Sequence, residues 1–317
     1  MTNTIFIDGE EGTTGLQIRE RLEGRPELNL ITLTNARRKD ARARREALNA
    51  ADVAILCLPD GAASDAVKMI DSSATRVIDA STEHRVATGW IYGFPEMLSG
   101  HRENVSGASR VTNPGCYPTG AVGLIRPLVA AGILPRNHPV TINAVSGYSG
   151  GGKALIARMK NAGVDNAILS NWFGYGLGLA HKHVPEMKLY GELENVPLFT
   201  PSVGRFEQGM VVQVPLPLWD LKKAPSVNDI REVMAEYYHS EHFVSVANIE
   251  ETEKHAALLD PEELNGTNHM RLYVFGNDDT HQALLAAQLD NLGKGASGQA
   301  VQCLNLMLGL DEAAGLD

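Results

Sequence analysis

Along the first third of the chain, short apolar runs alternate with longer stretches whose apolar positions recur at helical spacing. The runs 4–8 (TIFID), 29–34 (NLITLT), 53–58 (VAILCL) and 76–80 (RVIDA) predict strands, and the stretches 13–23, 39–50 and 62–71 predict helices. Strand–helix alternation of this kind implies a parallel, doubly wound sheet. Beyond residue 116 the pattern changes. A helical run (TGAVGLIRPLVAAG) leads to a strand near 140–145 and then to a glycine- and serine-rich loop, SGYSGGGK. Alternating runs at 210–218, 243–249 and 270–276 predict further strands, with one helix near 226–238. Strands set between irregular loops imply an α+β region with a mostly antiparallel sheet. The chain closes on two predicted helices, 280–292 and 296–308.

Composition narrows the picture. The 317 residues are 44% hydrophobic and 21% charged, the profile of a folded globular chain long enough for two cores. Lys and Arg number 28 against 38 Asp and Glu, a net charge of −10, which argues against nucleic acid as a partner. An anionic ligand must then be drawn by a local cluster of cations rather than by the whole molecule. No apolar run approaches the length needed to span a bilayer, and no secretory leader is visible, so no membrane partner is expected. Three cysteines, Cys57, Cys116 and Cys303, make no disulfide framework and no zinc pattern. They imply a reducing, cytoplasmic setting.

Directly after the first strand stands GEEGTTG, with Gly9, Gly12 and Gly15 opening a helix. Glycines there let backbone turn tightly and approach a pyrophosphate held at the helix N-terminus, the logic of a Rossmann-type sheet. The spacing is GxxGxxG instead of the commoner GxGxxG, so placement carries more weight than the motif. Glu10 and Glu11 oppose a phosphate unless their carboxylates turn away. At the end of the second strand, Thr34 is followed by Asn35, Ala36, Arg37, Arg38 and Lys39, with no acid before Asp40. An NAD site usually places a carboxylate here; three cations favour the 2′-phosphate of NADP(H), with Arg37 the preferred contact.

The sharpest signal is TNPGCYPTG, residues 112–120. Pro114-Gly115 marks a turn, Pro118 suits the first turn of a helix beginning at about Thr119, and Cys116 stands at its head. A helix N-terminus favours thiolate, and its amides can hold an oxyanion on an attacked carbonyl. Cys57, inside a strand, and Cys303, inside a helix, read as inert packing residues. In HKHVPEM, His181 and His183 lie two apart, which on an extended segment puts both imidazoles on one face. The pair suits a base and a phosphoryl ligand, with Glu186 orienting one ring. Metal ligands or exposed histidines fit the same spacing, metal less well for want of a matching ligand pattern. Lys153 and Arg205 are candidate anion anchors, with surface cations the plainer reading.

TNPGCYPTG resembles the cysteine signature of the N-acetyl-γ-glutamyl-phosphate reductases, enzymes of arginine biosynthesis that are more loosely related to aspartate-semialdehyde dehydrogenases. The likeness extends through LPDGAASD (58–65), VIDAS (77–81), YGFPE (92–96), SGYSGGGK (146–153), HKHVPEM (181–187) and DNLGKGASGQAVQCLN (290–305). The short stretch after the second strand resembles the shorter subfamily. The resemblance implies an NADP-dependent oxidoreductase that reduces a small acyl phosphate to an aldehyde through a cysteine thioester. It implies Cys116 as nucleophile, His181 as general acid/base, and Tyr175, His183 and Glu186 around them. For the cofactor it implies Gly9, Gly12, Thr13, Thr14, Gly15, Thr34, Arg37 and Pro59, with Ser149, Gly150 and Asn291 near the nicotinamide. It further implies a homo-oligomer, dimer or tetramer, and a discontinuous NADP-binding domain, 1–113 with 289–317, around a catalytic domain, 114–288. The alternatives are an aspartate-semialdehyde dehydrogenase or a non-catalytic NADP-binding sensor of the same fold.

Overall fold

The computed structural model describes residues 2–161, 163–222 and 224–316. The chain forms two compact units, one running to Pro114 and resuming at Ala296, the other Gly115–Gly295. Residues 289–295 thus belong to the second unit.

In the first unit, β1 (Asn3–Asp8), α1 (Thr13–Leu22), β2 (Leu28–Ile31), α2 (Ala41–Ala50), β3 (Val53–Leu56), α3 (Asp60–Lys68) and β4 (Arg76–Asp79) alternate as the pattern predicts. β5 (Ile91–Tyr92), α4 (His101–Gly107) and β6 (Arg110–Thr112) complete it, too short to leave a periodic signature. The sheet is wholly parallel in the order β2-β1-β3-β4-β6-β5. Every residue of β3 is buried, as expected of a parallel strand covered on both faces. Phe6, Leu48, Leu56, Ala63 and Val77 form the core on one side.

In the second unit, α5 (Cys116–Ala130) precedes β7 (Thr141–Gly147), α6 (Gly152–Lys160), β8 (Trp172–Gly174), α7 (Val184–Tyr190) and β9 (Leu198–Gly204). There follow β10 (Met210–Pro217), α8 (Val227–Tyr237), β11 (Val244–Val246), α9 (Ile249–His255), β12 (Met270–Asn277) and β13 (Gln282–Leu289). Four of the six strand pairings are antiparallel, while β7–β9 and β11–β12 run parallel, so the sheet is mixed.

The expected helix at 280–292 is corrected: Gln282–Leu289 is the strand β13. Its sequence, QALLAAQL, is rich in helix formers, but β13 lies between β10 and β12 and pairs with each over eight residues. A strand flanked on both sides and buried on both faces needs no polar alternation, and two ladders of hydrogen bonds override a propensity of a few tenths of a kcal/mol per residue.

The chain then returns to the first unit with α10 (Gly298–Leu308), every residue of which up to Met307 is buried. Its polar side chains are bonded there: Gln299 Nε2 donates to the Gly93 carbonyl at 2.6 Å, and Asn305 Oδ1 accepts from Arg25 at 3.0 Å. A helix apolar nearly all round must be enclosed, and these bonds satisfy what it encloses.

Candidate active site and cofactor cleft

The first unit presents the glycine loop at the C-terminal end of β1. Gly9 takes φ +88°, and a Cβ there would lie 2.4 Å from the Cys57 carbonyl oxygen. Gly15 is held by proximity instead, since its Cβ would meet the Gly9 carbonyl at 2.7 Å. Gly12 differs. It caps α1 with ordinary extended backbone, and no atom of the fold lies within 3.4 Å of a Cβ placed on it. The fold therefore requires glycine at 9 and 15, while the bare backbone at 12 leaves room for something from outside. Thr13 and Thr14 begin α1 and are half-buried. Glu10 and Glu11 do not confront that space as free anions, because Glu10 pairs with Arg19 and Glu11 with Arg38.

Beside the loop is a cavity of about 410 Å³, walled by Leu33 and Leu58 and carrying Arg38, Lys39 and Arg44. Its size is that of a small-ligand pocket. The Thr34 carbonyl starts the turn bearing these cations, accepting from the amides of Arg37 and Arg38 at 2.8 and 3.0 Å. Arg37 is not part of the cavity lining; its exposed guanidinium lies 3.4 Å from Glu46. Arg44 reaches Asp8 at 2.7 Å, a pair largely withdrawn from solvent. Pro59 caps the N-terminus of α3. The lining also carries the carboxylates of Asp8, Glu10 and Glu11, each paired with an arginine; with the apolar walls, Lys39 and the glycine-bared helix start, the set fits an adenine dinucleotide carrying an extra phosphate. Burial, with Asp79 and Asp8 adding to it, pushes the Cys57 thiol up to about 12, so it stays a packing group.

The second unit holds the thiol. The helix α5 starts at Cys116 itself, three residues earlier than the sequence pattern predicts. Gly115 is its N-cap, accepting from Thr119 N–H at 3.0 Å and donating its own N–H to Glu186 Oε2 at 2.9 Å. Glu186, only 1% exposed, thereby anchors the start of the helix. The helix is buried from Tyr117 to Ile125 and has little freedom to slide, so the thiol is carried on a fixed mount. Pro118 lacks an amide, which leaves those of Cys116 and Tyr117 at the head of the helix dipole. Behind the thiol, Gly295 approaches so closely that a Cβ on it would lie 2.8 Å from Cys116 Cβ.

The histidines lie close together but not on an extended segment, which corrects the expected geometry. They sit in the turn entering α7, His183 in helical conformation as its N-cap, because Pro185 and Glu186 already belong to the helix. Their rings are 4.8 Å apart, and the His183 N–H donates to His181 Nδ1 at 3.2 Å. With Nδ1 accepting, a neutral His181 carries its proton on Nε2. Burial, with Lys182 adding to it, lowers the His181 pKa and favours that neutral ring. Tyr175 stands edge-on to His181 at 5.5 Å. Its phenol is pushed up to about 12 by burial, offset by its bond to Tyr117 and reinforced by Cys116.

Ser149, Gly150 and Asn291 meet in the same unit. Asn291, 1% exposed, donates to Ser149 Oγ at 3.0 Å and accepts from Gly209 N–H at 2.8 Å. Arg205 is no anion anchor: it donates to the Met159 carbonyl at 2.9 Å and to those of Ser170 and Ile168. Lys39 was one of the three cations expected at the 2′-phosphate, whereas Tyr117 and Gly295 lie in these surroundings although the sequence pattern assigned neither a role. Only the position of Tyr117 next to Cys116 hinted at it. Among the described residues, no three His, Cys, Asp or Glu side chains gather in a metal-holding group, and no helix is long and apolar enough to cross a membrane.

A glycine-looped parallel sheet in one unit, and in the other a helix-mounted cysteine whose neighbour Tyr117 packs against paired imidazoles, are features of an aldehyde-type oxidoreductase. The chain belongs to the semialdehyde dehydrogenase family: residues 4–105 match its NAD binding domain and residues 116–291 its dimerisation domain. It is 54% identical to the N-acetyl-gamma-glutamyl-phosphate reductase 2 of Nostoc sp., covering 98% of each chain. It is 53% identical to the N-acetyl-gamma-glutamyl-phosphate reductase of Brucella ovis, covering 98% of this chain and all of that one. In fold it is similar to aspartate semialdehyde dehydrogenase II of Vibrio cholerae, solved as a complex with ASA, at TM-score 0.72 and 15% identity over 98% of this chain and 99% of the other.

Proposed function

We propose that the protein reduces N-acetyl-γ-glutamyl phosphate to N-acetylglutamate 5-semialdehyde with NADPH, as a step of arginine biosynthesis, through a thioester on Cys116. The observation that carries this reading is Cys116 as the first residue of a Glu186-anchored helix whose next residue, Tyr117, packs against both histidines and bonds to Tyr175.

A carboxylate resists hydride because its carbonyl carbon is electron-rich; an acyl phosphate does not, and a thioester keeps that activation while tethering the carbonyl. The Cys116 sulfur attacks the acyl carbon, the C–S bond forms, and the C–O bond to phosphate breaks. The amides heading α5 and the His181 Nε2–H stabilise the oxyanion that forms in between. Bound NADPH supplies the hydride that converts the thioester carbonyl to the aldehyde level. The oxyanion then re-forms the carbonyl, the C–S bond breaks, and Cys116 returns as thiolate, with the His181 Nε2–H hydrogen-bonded to that oxygen throughout. Neutral His181 can act as this hydrogen-bond donor across the neutral range.

In the first unit, Gly9, Gly12, Thr13, Thr14 and Gly15 would cradle the pyrophosphate, with Thr34 and Pro59 flanking it. Lys39, Arg38 and Arg44 are better placed for the 2′-phosphate than Arg37. Ser149, Gly150 and Asn291 are assigned to the nicotinamide end. The matched dimerisation domain supports a homo-oligomer, and three cysteines without a disulfide suit the cytoplasm.

The test is the reverse reaction. With NADP and phosphate, N-acetylglutamate semialdehyde should support NADPH formation far better than aspartate semialdehyde. Cys116→Ser should abolish turnover and leave NADPH binding intact. Normal turnover by that variant refutes the covalent route.

A further inference from the structure

Tyr117 follows the nucleophile directly, is 3% exposed, and has its ring against both histidines, 6.0 Å from His181 and 5.8 Å from His183. Its hydroxyl lies 3.2 Å from the Ser202 carbonyl oxygen and 3.2 Å from the Tyr175 hydroxyl. Burial raises the Tyr117 pKa well above its ordinary value, and Tyr175 is also raised, so each phenol keeps its single proton at any working pH. Counting protons then fixes the direction of the chain. A carbonyl oxygen only accepts, so the Tyr117 proton must point at Ser202. Tyr117 can therefore only accept from Tyr175, whose one proton is committed inward. The reverse arrangement sets the Tyr117 lone pairs against those of the carbonyl at 3.2 Å, in a buried place where such an unmet acceptor is costly. The Ser146 hydroxyl, also near Tyr117, has its own acceptor in the Gly147 carbonyl at 3.0 Å.

We propose that Tyr117 is a positioning residue that locks the Tyr175 proton inward, so that Tyr175 meets the substrate only as a hydrogen-bond acceptor and selects one bearing an N–H donor of the secondary-amide class. This rests on the function proposed above and deepens it. Tyr175, half-buried and edge-on to His181, is then a group that reads a neutral amide N–H; it does not stabilise the oxyanion.

The test uses the full-length enzyme as wild type, Tyr117→Phe, Tyr175→Phe and the double variant. Each is assayed in the reverse direction with N-acetylglutamate semialdehyde and with glutarate semialdehyde, which lacks the acetamido group. Loss of one such hydrogen bond should raise KM for the acetylated aldehyde about 5- to 10-fold in either single variant, by a larger factor than it lowers kcat. The preference for the acetylated over the plain aldehyde should fall by the same factor. Because Tyr117 acts only through Tyr175, its substitution should add nothing in the Tyr175→Phe background. Additive effects, or an undiminished preference for the acetylated aldehyde, overturn the proposal. A purely structural role would lower the melting temperature without moving that preference. Should Tyr117→Phe fail to fold, Tyr175→Phe decides alone by the same preference. Alkylation of Cys116 by iodoacetamide at neutral pH, blocked by substrate, reports separately on the nucleophile. Loss of that protection sinks the functional reading, whereas intact protection with unchanged discrimination sinks only this one.

Discussion

Replacing Gly295 by Ala puts a methyl group where the fold has no room for it. The new carbon would sit 2.8 Å from Cys116 Cβ, 3.1 Å from the Asp290 carbonyl oxygen and 3.3 Å from Cys116 Cα. Two carbons attract at about 3.5–4.0 Å, so the gap to Cys116 Cβ is short by about 0.7 Å or more. Relief by moving α5 is blocked, because the residues from Tyr117 to Ile125 are buried and Gly120 already rests against Val212, 2.8 Å from where its own Cβ would be. Relief from the other side is opposed by the Asp290 hub, whose carboxylate accepts from the amides of Gly266 and Leu292 at 2.8 Å each. The strain therefore falls on the start of the helix and its thiol. Overpacking of this kind costs about 1–3 kcal/mol of stability. A nucleophile displaced by several tenths of an ångström should lose on the order of 10- to 100-fold in kcat. Steady-state turnover with N-acetylglutamate semialdehyde, the rate of Cys116 alkylation and a thermal melt measure the three effects together. NADP affinity should hold, as the glycine loop lies in the other unit. A Gly295→Ala enzyme with wild-type kcat and melting temperature would refute the claim that close approach at this glycine sets the thiol.

Three further outcomes follow from the same geometry. Lys39→Ala should weaken NADP binding on the order of 10-fold or more while leaving NAD binding unchanged, since a charge-assisted contact is worth about 1.5–3 kcal/mol; Arg37→Ala should do little. Titration calorimetry with both cofactors checks the pair, and equal losses for the two cofactors contradict the assignment. His181 has its folded pKa lowered by burial, so below its ordinary value of about 6.5 the unfolded chain binds the extra proton first. Its contribution is whole above that value and is lost as pH falls towards the lowered folded pKa, and melting curves of wild type and His181→Asn should converge in that acid window. Gly9→Ala, forced to φ +88° with its Cβ 2.4 Å from a carbonyl oxygen, should unfold several degrees earlier and bind NADP poorly, whereas Gly12→Ala should keep the wild-type melt and lose only the cofactor. A melt lowered equally in both glycine variants would show that Gly12 is structural.

What could be read from the residues was what local chemistry decides. A strand ending in Asp8, followed by glycines at 9, 12 and 15 and then a helical pattern, signals a tight strand-to-helix turn, because glycine permits the turn and the close approaches it makes. Pro114-Gly115-Cys116 likewise marks a helix start whose first residue is a thiol. The inner strands β1, β3 and β4 announce themselves because a parallel sheet covered on both faces needs apolar runs. What local chemistry does not decide is which of several equivalent neighbours meets a distant partner. Arg37, Arg38 and Lys39 are alike in sequence, and only the turn from Thr34 decides that the latter two line the cavity. QALLAAQL is as good a helix as a strand until β10 and β12 stand on either side of it. Tyr117 lies 85 residues from the carbonyl that takes its proton and 58 from the tyrosine it orients. Gly295 is an ordinary glycine until Cys116 is packed against it. Those contacts join points far apart along the chain, and their energy exists only once the sheet has brought them together.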